Sequence, residues 1–118
     1  MSAVLDQDVV EELLSITDGD PDLLLDLIGM FLEDAPSKLE TIQSSLASGD
    51  YETLAKSAHQ LKGSAGNLGA HLVLHDCDEL QSVESNRDES KARLLVPDLE
   101  EHLADAIDAL TELRGHYQ

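Results

Sequence analysis

Apolar residues recur at three- and four-residue steps along nearly the whole chain, the spacing that gathers them on one face of a helix. Val9, Leu13 and Ile16 predict a short first helix, from about Asp6 to Ser15. Asp18-Gly-Asp20-Pro21 breaks the pattern and restarts it, with Asp20 as N-cap and Pro21 at the first helical position. Leu24, Leu27/Ile28, Phe31/Leu32, Leu39, Ile42 and Leu46 then hold one helical phase as far as Ser48-Gly49. Pro36 interrupts this run. Because the apolar phase resumes beyond it, the proline is expected to kink the helix rather than end it.

Asp50 is placed to cap a third helix whose inward stripe is Leu54, Ala58, Leu61, Ala65 and Leu68, closed by Asn67-Leu-Gly69. A fourth helix is predicted from about Ala70 to Glu84, with Val73/Leu74, Cys77 and Leu80 inward, followed by a turn at Ser85-Asn-Arg-Asp. The last carries Leu95, Leu99, Leu103, Ala106/Ile107, Leu110 and Leu113; Pro97 either kinks it or marks its beginning. No strand-type alternation, long linker or internal repeat intervenes. Four substantial helices joined by short turns predict an all-α fold: an antiparallel up-down four-helix bundle with a short additional N-terminal helix, one domain spanning residues 1–118.

Composition narrows the function. One Phe, two Tyr and no Trp leave an aliphatic core. A formal charge of −18 argues against nucleic acid and against anionic membrane surfaces, both of which need lysine and arginine. A single cysteine, Cys77, excludes an internal disulfide. The opening Met-Ser-Ala-Val-Leu-Asp does not read as a signal peptide, and no apolar run is long enough to span a membrane. The expected location is the cytoplasm and the expected state a monomer, with both a free-standing chain and a domain of a larger protein left open by the sequence.

Against this acidic background one window stands out. The chain has 25 Asp and Glu, yet none lies between Thr53 and His75. Between Leu39 and Asn86 the only Lys or Arg residues are Lys56 and Lys62, three positions either side of His59. Successive helical residues turn by about 100°, so His59 lies off the core stripe, on a face shared with Glu52, Ala55/Lys56, Lys62/Gly63 and Gly66. Helical side chains lean toward the N-terminus, which brings Lys62 toward the imidazole and makes it the better phosphate partner. A side chain at Gly63 would lie over His59. A histidine so cleared and bracketed by cations is suited to carry a phosphoryl group.

His59-Gln-Leu-Lys62-Gly63-Ser-Ala-Gly66-Asn-Leu-Gly69-Ala resembles the signature of histidine-containing phosphotransfer (HPt) domains. Phe31-Leu-Glu-Asp-Ala-Pro36, Ser48-Gly-Asp50 and Leu74-x-x-Cys77-x-x-Leu80-Gln81 extend the likeness over most of the chain. The resemblance implies a small helical bundle that relays phosphoryl groups between receiver-domain aspartates, with His59 as acceptor and Lys62 and Gly63 at the matching positions. It gives Gln81 the task of hydrogen-bonding the imidazole; an amide oxygen accepting from Nδ1–H would leave Nε2 as nucleophile. Lys56, Gly63 and Gly66 then belong to the receiver-docking face. The implied partners are response-regulator receivers and a hybrid sensor histidine kinase. No cofactor is expected on this chain, Mg2+ being expected on the receiver. It is expected to be a phosphocarrier without ATP-dependent kinase activity.

Two other readings are open. A helical adaptor would bind a receiver without accepting phosphate, but has no need of Lys62, Gly63 and Gln81 together. His71 and His75, with Cys77 and Asp78 nearby, have ligand-type spacing for zinc. The helical phase turns Cys77 toward the core, away from the two histidines. His102 and His116 show no partner in the sequence that suggests a site.

Overall fold

The computed structural model describes residues 4–117, so the expected domain limits at 1 and 118 lie outside the described residues. Among these there are five helices and no strand: α1 (Gln7–Ile16), α2 (Asp22–Ser48), α3 (Tyr51–Asn67), α4 (His71–Asn86) and α5 (Glu89–Tyr117). The boundaries follow local chemistry. Asp6 accepts from Asp8 N to open α1, and Asp50 accepts from Thr53 N to open α3. At α2 the expectation is off by one position. Pro21 already has helical dihedrals and is the N-cap, while the Asp20 carboxylate accepts from Asp22 N at 3.0 Å.

Both interior prolines are accommodated. The second helix runs unbroken through Pro36, and α5 runs through Pro97. The ambiguity at Pro97 is resolved by Asp88, whose carboxylate accepts from Lys91 N at 3.0 Å and whose carbonyl accepts from Ala92 N. The start is thereby fixed at Glu89, leaving Pro97 two turns inside. The fourth helix outlasts its predicted end because Arg87, at φ 49°, takes the left-handed C-cap position usually filled by glycine.

Packing closes a ring: α2 on α3, α3 on α4, α4 on α5 and α5 back on α2, with α1 laid against α2. Inside it lie Leu24, Ile28, Phe31, Ile42, Leu54, Leu61, Leu80, Leu99, Leu103 and Leu110, all but sealed from solvent. Fully burying each leucine stabilises by roughly 1.5–3 kcal/mol. The buried stripe of α3 therefore outweighs its two interior glycines, which cost roughly 1 kcal/mol apiece. At the α3–α4 turn Gly69 has φ 75° and its carbonyl accepts from Asp6 N at 2.7 Å, tying the N-terminal segment to the bundle. An added Cβ there would stand 2.8 Å from the Asp6 carbonyl oxygen, so the position requires glycine.

One interhelical contact was not visible in the sequence. Asp76 of α4 is buried, and His102 Nδ1 of α5 meets its Oδ2 at 2.5 Å. The hydrogen bond to Asp76 raises the His102 pKa above the ordinary histidine value; partial burial opposes this, and the charges of Asp76, Asp98 and Glu101 add to it. A group whose pKa is higher folded than unfolded contributes its stability in full below the unfolded value, near 6.5, and loses it as pH rises through the folded value. The melting temperature should therefore fall as pH rises from about 6.5 through the raised folded value. In His102→Gln this part of the slope should disappear, since glutamine still donates to Asp76 without titrating; an unchanged slope would place the titration elsewhere.

Candidate functional site on the α3–α4 seam

Helices α3 and α4 run antiparallel with a fixed register. Each step forward along α3 meets an equal step back along α4, so His59 faces Gln81, Lys62 faces Asp78 and Gly66 faces Leu74. His59 is exposed and sits in a shallow open depression lined by Glu52, Ala55, Lys56, Gln81 and Glu84. Its Nδ1 lies 3.1 Å from the side-chain amide nitrogen of Gln81. The sequence-predicted pair is thus in contact across the seam.

The atoms in that contact differ from the expectation. Opposite Nδ1 stands the amide nitrogen, a donor, which makes Nδ1 the acceptor and puts the proton of a neutral ring on Nε2. A half-turn of the Gln81 amide exchanges its nitrogen for its oxygen in nearly the same place. Only in that orientation does Nδ1–H donate to glutamine while Nε2 keeps its lone pair. The shape of the side chain permits both, so sequence position could predict the partner but not the atom.

Lys62 also differs. Its ammonium lies on Asp78 Oδ1 at 2.7 Å, and this pairing holds the Asp78 carboxyl below its ordinary pKa. Lys56, not Lys62, lines the depression around His59. The acid-free window is likewise a property of the sequence and not of the space: Asp78 and Glu84 approach from α4, and Glu52 lies about two turns before His59 on its own helix. Once His59 and Gln81 are paired, antiparallel register alone puts residue 78 opposite residue 62. That was the signal by which Asp78 could have been found.

The two glycines have different causes. A Cβ on Gly66 would stand 3.2 Å from Leu74 Cδ1, so Gly66 serves the close approach of α3 and α4 as well as any docking face. A Cβ on Gly63 would meet nothing within 4 Å. The fold itself makes no demand for glycine at 63.

Cys77 is fully buried, and burial pushes its thiol up to about 12, away from the reactive thiolate form. It points into the core, away from His71 and His75, as its phase predicted. Among the described residues no group of three or more His, Cys, Asp or Glu is arranged to hold a metal ion. No described helix is long and apolar enough to cross a membrane.

Comparison with known proteins is consistent along the chain. A sequence model of the Hpt domain matches residues 26–113. The Sensory/regulatory protein RpfC of Xanthomonas campestris pv. campestris is 32% identical over 107 residues, which cover 91% of this chain but 15% of RpfC. The chain therefore spans only a small part of the curated relatives it matches. The structure of histidine-containing phosphotransfer protein B (HptB) from Pseudomonas aeruginosa PAO1 superposes with a TM-score of 0.90 at 25% identity, covering all of both chains. The HPT domain of an Hpt sensor hybrid histidine kinase from Shewanella gives a TM-score of 0.80 at 21% identity, over 96% of this chain and 95% of the other. That likeness speaks to the fold.

Proposed function

The chain belongs to the histidine-containing phosphotransfer (Hpt) family of phosphorelays, and from that premise we propose that His59 is the residue on which it carries the phosphoryl group. The observation that carries this reading is an exposed histidine whose Nδ1 is engaged by Gln81, which leaves Nε2 as the ring nitrogen that Gln81 does not occupy. With the Gln81 amide turned to accept, the Nε2 lone pair attacks the phosphorus of a receiver's aspartyl phosphate. The N–P bond forms as the P–O bond to aspartate breaks, and the carboxylate leaves with the bonding electrons. The ring's positive charge rests at Nδ1–H, held by the Gln81 oxygen. Reversal onto a second receiver's aspartate completes the relay.

Such transfer depends mainly on in-line positioning and charge neutralisation. Here the positioning comes from helix-borne residues packed on a closed core, and the nearest cations are Lys56 and Lys62. The magnesium belongs to the receiver in this reading. The chain acts as a phosphocarrier and not as an ATP-dependent kinase, with receiver domains and a hybrid sensor kinase as its partners. It works as a monomer in the cytoplasm.

The test is transfer itself. The intact chain, mixed with a panel of phosphorylated receivers, should take up label from at least one as the receiver loses it. The new linkage should be labile to acid and stable to alkali, as a phosphoramidate is and an acyl phosphate is not. Binding to a receiver without any uptake of label would favour the adaptor and overturn the carrier.

A further inference from the structure

The ion pair between Lys62 and Asp78 stands one helical turn along the seam from the pair between His59 and Gln81. Residues three apart on a helix have Cβ atoms about 5–6 Å apart, within the sweep of a lysine side chain. Lys62 can therefore turn about its own bonds between Asp78 and a phosphoryl group on His59, with no movement of either helix. It cannot satisfy both fully. Two acceptors, one on each helix, compete for one ammonium.

The competition has a predictable winner. The Lys62 and Asp78 side chains are 35% and 58% exposed, and ion pairs this open to water are weak and easily exchanged. A phosphoryl group brings about −1.5 to −2 of charge and three acceptor oxygens against the single charge of a carboxylate. Capture of Lys62 by the phosphoryl group is favourable, but by less than it would be if Lys62 began unpaired. Asp78 subtracts from the stability of the phosphohistidine without touching it.

We propose that Asp78 is a positioning residue that holds Lys62 in reserve across the α3–α4 seam, and so sets how strongly phosphorylated His59 is stabilised relative to the donating receiver. This rests on the reading of His59 as carrier. An intermediate in a relay must give up what it receives, and a lysine permanently aimed at the phosphoryl group would turn the carrier into a sink. Asp78 keeps the exchange near balance. The sequence places it on the helix after the motif, where no reading of the motif alone would find it.

The measurement is the equilibrium ratio of phosphorylated chain to phosphorylated receiver, with one dilute receiver, for the parent, Asp78→Asn, Lys62→Ala and the double variant. Asp78→Asn should raise the ratio about two- to fivefold, the range expected from releasing an exposed ion pair, with little change in melting temperature. Lys62→Ala should lower it. Adding Asp78→Asn to Lys62→Ala should then leave the ratio where Lys62→Ala put it, because the aspartate acts through the lysine. An equal gain in the presence and absence of Lys62 would mean that the lost negative charge acts directly through space, and would overturn the proposal. So would no gain in Asp78→Asn. A parent chain that accepts no label at all would instead overturn the assignment of His59, a different failure and a distinguishable one.

Discussion

Replacing His59 with glutamine should abolish phosphoryl acceptance and leave the bundle standing. The reason for the first half is chemical: a carboxamide nitrogen has no available lone pair, so nothing at position 59 can attack phosphorus. The reason for the second is structural. His59 is exposed, contributes nothing to the buried stripe of Leu54, Ala58, Leu61, Ala65 and Leu68, and occupies a helical position where glutamine is a good helix former. Substitutions of that kind usually change stability by no more than about 0.5 kcal/mol. A glutamine there can still hydrogen-bond Gln81. Labelling should fall to background while the melting curve stays within a degree or two of the parent.

The other histidines offer no substitute. His102 is committed to Asp76, and His116 packs edge-on against Tyr117 with ring centroids 4.9 Å apart. His71 and His75 stand on α4, which carries a side chain at every position and so has no opening like that beside Gly63. Acid-labile phosphate persisting in His59→Gln would refute the assignment outright, because the fold would be intact and another nucleophile would have to exist.

The helices were legible because burial in a bundle imposes one period on the sequence; the residues of the stripes predicted for α3, α4 and α5 all lie in or against the core, which Val83, Ala92 and Val96 join besides. What escaped prediction was whatever depended on two elements at once. The buried Asp76 looked like one more acid on an acidic chain until α5 supplied His102. Asp78 and Glu84 are distant from His59 in sequence and near it in space, so an acid-free window could not reveal them. Gly66 shared a face with Gly63 and was read the same way; only the position of Leu74 separates their roles. At the helix ends, Arg87 adopted a conformation that sequence reading reserves for glycine. His59, Lys56, Lys62 and the two glycines could be placed on one face for the opposite reason: they share a single helix at fixed spacings, whereas Gln81, on the next helix, came only from the family resemblance.

Gly63 gives the second large effect, and its sign is opposite for stability and for function. Gly63→Gln should raise the melting temperature by a few degrees, because glycine in a helix interior costs roughly 1 kcal/mol against a good helix former and a Cβ at this position meets nothing within 4 Å. The same substitution should slow transfer by about a hundredfold or more. A side chain at position 63 leans back over position 59, into the path a receiver must follow to bring its phosphorus in line with Nε2, and misplacement of reacting groups by about 1 Å can cost a hundredfold. A glycine that the fold does not need, beside the one residue proposed to react, is a local rule broken for something outside the chain. Melting temperature and transfer rate measured on one sample decide the matter. Normal transfer by a stabilised variant would show that the approach to His59 does not cross Gly63. A stabilised variant that no longer accepts phosphate would place the receiver directly over the first turn beyond the histidine, with access and not folding as the reason for the glycine.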